Sequence, residues 1–525
     1  MRPPPWHPPV ELSAAEQAVV ARIRRAKLFT FLRHIRHDLL SAAFQDELAT
    51  MYKDSHEGWP PVPPAQLALA TILQAYTGVS DDEVLEALVM DRRWQLVLDC
   101  LDAEQAPFGK GTLVRFRTAL IQHGLDRRLV ERTVALAEQA GGFGPRPLRA
   151  ALDSSPLWGA GRVEDTLNLL GHALRKALGV IARQQGRELA AVAQEAGAAI
   201  VAQRSLKAAL DRDWDDPAAQ PAALAMVLDA LDAVERWLVP AASVPAIVAD
   251  GARAGLAAAH QIRDQDVAVG EDGTARLRQG VAADRRISIE DPAMRHGRKS
   301  QTRRVDGYKR HVLRDLDSGV VRAGGITAAN LPEAAVTDAI AADLAAQQVT
   351  MGELHIDRAY LSSRLVRERP ADLAVYCKAW PVRTGPTFAK HTFTLDWDQG
   401  TIRCPSGVTL PFAPSGTVQF PRAVCAACAL RPHCTTNAQG RTVTIHPDER
   451  LLVELRERQQ TAEGRAKLRE RVAVEHSLAH VGHWQGDRAR YLGERKNLFD
   501  LRRVAVVHNL HVWARLAAAA DAEAA

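Results

Sequence analysis

With 525 residues, 47% of them hydrophobic and 25% charged, the chain is too long for one ordinary core, and two to four domains are expected. No uncharged apolar run reaches the length that crosses a bilayer, and Met1-Arg2-Pro3-Pro4-Pro5-Trp6 has no apolar signal-peptide core, so no membrane partner and a cytoplasmic location are expected. The net charge of +5 excludes little, but residues 276–314 hold twelve Lys/Arg against four acids, a local excess above that of the whole chain.

In chain order, residues 10 to about 140 read as helical, with Leu67, Leu69, Ile72, Leu73 and Tyr76 at helical spacing. The Pro-rich stretch from Trp59 to Pro64 divides this region, and Ser80-Asp81-Asp82-Glu83 has the form of a capped helix start. The region offers no constellation for chemistry, which leaves DNA binding or assembly by elimination. Leu148 to Asp153 is a short apolar run ending in an acid, the pattern of a buried strand that delivers a carboxylate. From Asp165 to about His260 the pattern is helical, with Leu167, Leu170, Leu174, Ala177, Leu178 and Ile181 on one face and a break at Asp216-Pro217.

After residue 305 the period changes. Gly307–Arg314 and Gly319–Ala323 read as strands joined by a turn at Asp315–Gly319, followed by a helix from Glu333. Glu353–Asp357 is a second strand ending in an acid; a helix from Ser362 and a strand at Asp372–Cys377 follow. This alternation predicts a mixed α/β layer. A charged helix is expected from Glu449 to about His480, carrying Arg471 and Glu475 one turn apart, and the Ala-rich end from Leu516 reads as a frayed tail.

Phosphodiester hydrolysis or transfer needs an activated nucleophile and a neutralised leaving oxygen. Two hard cations about 4 Å apart supply both, and carboxylates on rigid elements are their preferred ligands. Asp153, Asp357 and Glu475 meet that description, although a strand-ending Asp is more often a turn or cap residue.

A second metal chemistry is written in the cysteines. Cys404, Cys425, Cys428 and Cys434 supply four thiolates in one turn-rich stretch, enough for a structural Zn2+, with His433 as the alternative to Cys434. The competing reading is a set of reduced cysteines packed in a small subdomain. Cys100 and Cys377 stand apart as core residues. His476, His480 and His483 read as DNA contacts or packing, since hard cations prefer oxygen.

Several ordered motifs resemble the DDE transposases of bacterial insertion sequences. They are Asp291-Pro292-Ala293-Met294-Arg295-His296-Gly297-Arg298-Lys299-Ser300, Asp306-Gly307-Tyr308-Lys309, Thr327-Ala328-Ala329-Asn330, His355-Ile356-Asp357-Arg358-Ala359-Tyr360, Arg469 to His476, and Phe499-Asp500-Leu501-Arg502-Arg503 leading to His508-Asn509-Leu510. The resemblance covers most of 150–515, and the helical N-terminus resembles the domain that precedes the catalytic one in such enzymes.

It implies an RNase H-like catalytic core over 146–515, interrupted by a helical insertion at 161–270 and a Cys-rich insertion at 390–440, after a helical DNA-binding or assembly domain at 1–145 and before a tail at 516–525. It implies Asp153, Asp357 and Glu475 as the acids that hold Mg2+ or Mn2+, with Asp250 as the competitor for the first position, and Arg471 beside the third. Relatives carry a Tyr where this chain has Leu468 and a Lys where it has Gly482, so Arg488 or Arg490 is expected to replace the lost contact to the DNA end.

The basic stretch is then expected along the DNA path, with Arg298, Lys299, Arg303, Arg304, Lys309 and Arg310 on phosphates, positioning DNA without reading its sequence. Tyr308 and Tyr360 are expected to pack the sheet. The expected partners are double-stranded DNA, as transposon ends and target, and a second copy of the chain on that DNA, in the nucleoid. The alternatives are a catalytically inactive DNA-binding descendant, a metal nuclease that cuts without joining, and a zinc-stabilised DNA-binding protein.

Overall fold

The computed structural model describes residues 2–524 apart from 55–59, 102, 204, 211–212, 217, 239–245, 300–301, 381–384 and 386. Met1, Trp59, Pro217 and Ser300, which figure in the patterns above, lie outside the described residues.

Among the described residues the first 140 form α1 (Ala14–Arg22), α2 (Lys27–Leu39), α3 (Ala42–Ala49), α4 (Pro64–Thr77), α5 (Asp81–Met90), α6 (Arg92–Leu98), α7 (Lys110–Gln122) and α8 (Leu125–Ala140). Ser80 caps α5 as its sequence suggests: its side chain accepts from the Glu83 N–H while Glu83 reaches back to the Ser80 N–H. After β1 (Leu148–Trp158) come α9 (Thr166–Gln185), α10 (Leu189–Glu195), α11 (Leu206–Leu210), α12 (Ala219–Leu238) and α13 (Ala246–Asp266). These helices enclose their own core, in which Leu170, Leu174, Leu178 and Ile181 meet Leu224, Val227, Leu231 and Ile262. The hairpin β2 (Val267–Val269) and β3 (Ala275–Leu277) closes that unit.

The main sheet adds β4 (Arg295–Arg298), β5 (Arg304–Asp315), β6 (Val321–Ala328), β7 (Met351–His355) and β8 (Ala374–Tyr376), with α14 (Thr337–Ala346) and the short α15 (Arg364–Arg367) between strands. Its order is β4-β5-β1-β7-β8, with β6 also on β5. Pairing is antiparallel among β6, β5 and β1, and parallel from β1 through β7 to β8.

Successive side chains along a strand face opposite sides of a sheet. Ala151 and Val312 therefore enter the core that holds the N-terminal helices, while Ala150, Leu152 and Leu313 enter the one beneath α14. Gly307 has φ +151°, and a Cβ there would lie 2.2 Å from the Gly159 nitrogen, so only glycine lets β5 pass the end of β1 this closely.

Residues 394–444 fold into the small sheet β9 (Thr394–Asp396), β10 (Thr401–Arg403) and β11 (Thr409–Pro411), the pair β12 (Thr417–Gln419) and β13 (Thr442–Thr444), and the short helices α16 (Arg422–Ala426) and α17 (Arg431–Cys434). The chain ends in α18 (Glu449–Gln460), α19 (Ala462–Glu470), α20 (Val472–Gln485) and α21 (Glu494–Ala524).

Three local expectations are corrected. β1 does not end at Asp153, because Ser154 to Trp158 continue to pair with His311 to Gly307. The single charged helix is three helices, broken at Thr461, whose side chain caps α19 through the Gly464 N–H, and at Arg471. The C-terminal segment from Leu516 continues α21, where Leu516 and Ala517 pack on the N-terminal helical core.

The last motif of the sequence is explained by α21. Buried Asn509 accepts from the Val321 N–H (2.7 Å) and donates to the Val321 carbonyl (2.9 Å), pairing with β6 as another strand would. Arg502 bonds both Asp126 on α8 (3.2 Å) and Asp343 on α14 (3.0 Å), and Arg503 bonds Asp500 (2.8 Å) and Gln74 on α4 (2.9 Å). These bonds tie the N-terminal helices to the sheet. Among the described residues no helix is long and apolar enough to cross a membrane.

Candidate active site

Strand parity decides where Asp153 goes. It lies two residues past Ala151, on the face of β1 against which α20 packs, in register with Val312. Asp357 stands two residues beyond β7, the parallel neighbour of β1, where its side chain accepts from the Ala359 N–H (2.6 Å) and opens a turn. Glu475 is in the first turn of α20, half-exposed. All three acids line one cavity of about 720 Å³, together with Arg471.

Arg471 bridges the set. One terminal nitrogen donates to Asp153 Oδ2 and the other to Glu475 Oε1 at 2.8 Å. Burial pushes the Asp153 carboxyl above its ordinary range, opposed by the Ser154 N–H and Arg471, with the Asp357 charge adding to the rise. Burial likewise works against the Arg471 charge, but Asp153, Glu475 and Asp357 outweigh it and raise its pKa. Three carboxylates from a strand, a post-strand turn and a helix thus line one cavity with Arg471 between two of them; all-oxygen donors of this kind suit hard divalent cations, which would take the place of the guanidinium.

The same cavity contains acids and hydroxyls that the sequence reading missed. Ser154 Oγ donates to Glu333 Oε1 (2.9 Å), and Glu333 and Asp487 line the cavity as further carboxylates. The only sequence signal of Glu333 is its position three residues after the Thr327–Asn330 motif. Beneath it, buried His311 contacts the Tyr360 hydroxyl (2.8 Å) and the Thr327 hydroxyl (3.0 Å). Burial lowers the His311 pKa to about 3 and raises that of Tyr360, so both are neutral partners that support the floor of the cavity. Tyr308 is buried too, its hydroxyl donating to Asp291 (2.5 Å).

Of the basic residues expected on DNA, Arg298, Lys299, Lys309 and Arg310 line the cavity, and exposed Arg303 and Arg304 lie beside it at the start of β5. Lys309 donates to the Leu331 carbonyl (2.7 Å). Three guanidiniums expected on DNA make hydrogen bonds within the protein. Arg310 is buried and bonds Ser155, Gln485 and Gly486; Arg488 bonds the carbonyls of Gly159 (3.1 Å) and Ala160 (3.2 Å); Arg490 bonds those of Gly78 and Val79 at the end of α4. Neither Arg488 nor Arg490 lines the cavity with Glu475. Asp250, the competitor of Asp153, is exposed on α13 and paired with Arg253 (3.3 Å).

Cys404, Cys425, Cys428 and Cys434 surround one small cavity of about 30 Å³. Hydrogen bonds from Ser406 and the Leu430 and Arg431 N–H groups lower the Cys428 pKa, whereas burial raises that of Cys434, with the other three thiolates adding to the rise. Cys100 and Cys377 are buried. His480 packs against His508 and Trp484, and His476 and His483 are exposed.

Among the described residues, one set of acid, histidine or cysteine ligand atoms lies within 4.8 Å of one another: Glu353, His355 and Glu470. Two cations already occupy it. Arg149 bonds Glu353 (3.0 Å) and Glu470, and Lys467 bonds Glu353 (2.9 Å), so the cluster is an ion-pair network joining β1, β7 and α19.

The fold is mixed α/β, and Asp153, Asp357 and Glu475 line one cavity at the end of its sheet with Arg298, Lys299 and Lys309. The family described as "Transposase DDE domain" matches residues 403–514, a span that includes the cysteines, Arg471 and Glu475 but neither Asp153 nor Asp357. The family described as "Transposase domain (DUF772)" matches residues 21–119, from the end of α1 into α7. Together the two matches support a DDE transposase of an insertion element. No curated protein and no solved structure matches the chain.

Proposed function

We propose that the chain binds the terminal inverted repeats of its element, cuts the DNA strand at each end and joins the freed 3′-hydroxyls to target DNA. The observation that carries this reading is the convergence of Asp153, Asp357 and Glu475 on one cavity walled by Arg298, Lys299 and Lys309. Asp153, Asp357 and Glu475 hold Mg2+ or Mn2+, which when bound activates the attacking oxygen and neutralises the leaving one.

The basic wall receives the phosphates, whose paired acceptors suit guanidinium groups. Arg471 holds Asp153 and Glu475 in one orientation, so little of their order has to be imposed when the DNA arrives. An RNase H-like core is supported by three antiparallel strands continued by two parallel ones, with the first acid on the central β1. The four converging cysteines support a structural Zn2+ in an inserted segment. The N-terminal helices supply DNA binding or assembly, and pairing of two ends requires two copies of the chain.

The test is cleavage and joining of duplexes taken from either side of the coding region, in Mg2+, by wild type, Asp153→Asn, Asp357→Asn and Glu475→Gln. Each variant is expected to bind DNA and to lose more than about 100-fold in rate, beyond the range seen for outer-shell partners of a metal. Reaction at the wild-type rate by any of the three removes that acid from the site.

A further inference from the structure

Arg310 is an unusual cation. Its side chain is 4% exposed, yet its hydrogen bonds go to neutral acceptors: Nε to Ser155 Oγ (2.7 Å), Nη1 to Gln485 Oε1 (3.2 Å) and to the Gly486 carbonyl (2.8 Å). Its carboxylate partner, Asp487, is 4.0 Å away on a side chain that is 95% exposed. A buried charge with so little compensation is costly and needs a reason to be kept.

The reason lies in what it joins. Ser155 is two residues after Asp153 on β1, and Gln485 and Gly486 end α20, the helix that carries Glu475 in its first turn. Gly482 lies between them, and a Cβ there would meet Arg310 Nη2 at 3.0 Å, so the guanidinium lies against the glycine on the cavity face of α20.

We propose that Arg310 is a positioning residue for the reaction, a brace between β1 and the end of α20 that fixes the separation of Asp153 and Glu475. This rests on the reading of those acids as metal ligands. Arg310 is accordingly not one of the cations that grip the DNA backbone. Its planar fork makes three bonds in two directions, which a lysine ammonium cannot reproduce.

The experiment uses the full chain without DNA and Mn2+ alone as probe, following the rise in melting temperature as Mn2+ is added. Arg310→Ala and Arg310→Lys are expected to need about 10 to 100 times more Mn2+ for half of the shift. Their DNA binding in EDTA should keep the wild-type dependence on salt. Gly482→Leu is the second variant, because it displaces the guanidinium without removing it. A purely structural role for Arg310 predicts a lower melting temperature without metal and no change in the Mn2+ midpoint. The brace predicts a weaker midpoint.

Wild-type Mn2+ midpoints in Arg310→Lys and Gly482→Leu would overturn the proposal. A salt dependence reduced by one phosphate contact, with the Mn2+ midpoint unchanged, would overturn it in favour of a direct DNA contact. Failure of the metal reading itself looks different: Asp357→Asn and Glu475→Gln would then also show the wild-type shift.

Discussion

Arg471 donates to Asp153 across 318 positions of sequence, and does so from the junction at which α19 gives way to α20. At this break one guanidinium faces β1 on one side and Glu475, in the first turn of α20, on the other. Arg471→Ala is expected to lower cleavage about 10- to 100-fold through weaker metal binding, measured as the Mg2+ concentration for half-maximal rate. Arg471→Lys should rescue little, since a single ammonium cannot hold both carboxylates in the fork geometry. An unchanged Mg2+ requirement in both variants would remove Arg471 from the site.

The network around Glu353 predicts a pH dependence of stability. Burial raises the Glu353 pKa, but bonds from Lys467, His355 and Arg149 outweigh it and hold it at about 2, below its ordinary 4.5. A depressed carboxyl pKa contributes stability that is fully present above pH 4.5 and is lost as pH falls towards 2. Glu353→Gln should therefore be destabilised at neutral pH by on the order of 1 to 2 kcal/mol after solvent screening, with the difference from wild type shrinking through that acid window. Denaturant unfolding at several pH values checks it, and a pH-independent difference would refute the linkage.

If the four cysteines hold zinc, the protein purified without chelator should contain one zinc per chain by elemental analysis. Cys428→Ser and Cys425→Ser should lose it, and proteolysis should then cut between residues 388 and 445 first. The segment has a small core of Phe393, Ile402, Val418, Phe420, Val443 and Ile445, which metal binding would supplement. Zinc-free protein with an equally resistant segment would leave the cysteines as packing residues.

The basic wall should be read in salt. Single alanine substitutions at Arg298, Lys299 or Arg304 are expected to weaken DNA binding and reduce the dependence of log K on log salt by about 1 each. Arg488→Ala and Arg490→Ala should leave that slope unchanged, because their guanidiniums bond main-chain carbonyls within the fold. The reverse ranking would move the DNA path to the other side of α20.

Local pattern carried much of this protein's organisation. The apolar stripe of α9, the capping box of α5 and the β5–β6 hairpin are short-range properties, set by side-chain periodicity, turn residues and bonds within a few residues, and they read directly from the chain. The candidate acids Asp153, Asp357 and Glu475 each sit in a recognisable local frame of apolar or motif residues, and the fold brings all three to one cavity. What the sequence could not decide was which charges meet. Glu333 joins the cavity through a hydrogen bond from Ser154, 179 positions away, and the ion pairs of Arg149 reach Asp317, Glu353 and Glu470 on three different elements. Arg310, Arg488 and Arg490 resemble the other arginines of the chain until the fold gives them acceptors. Long flexible cations have no local signature of their destination; tertiary packing alone determines whether such a charge faces DNA or is bound within the protein.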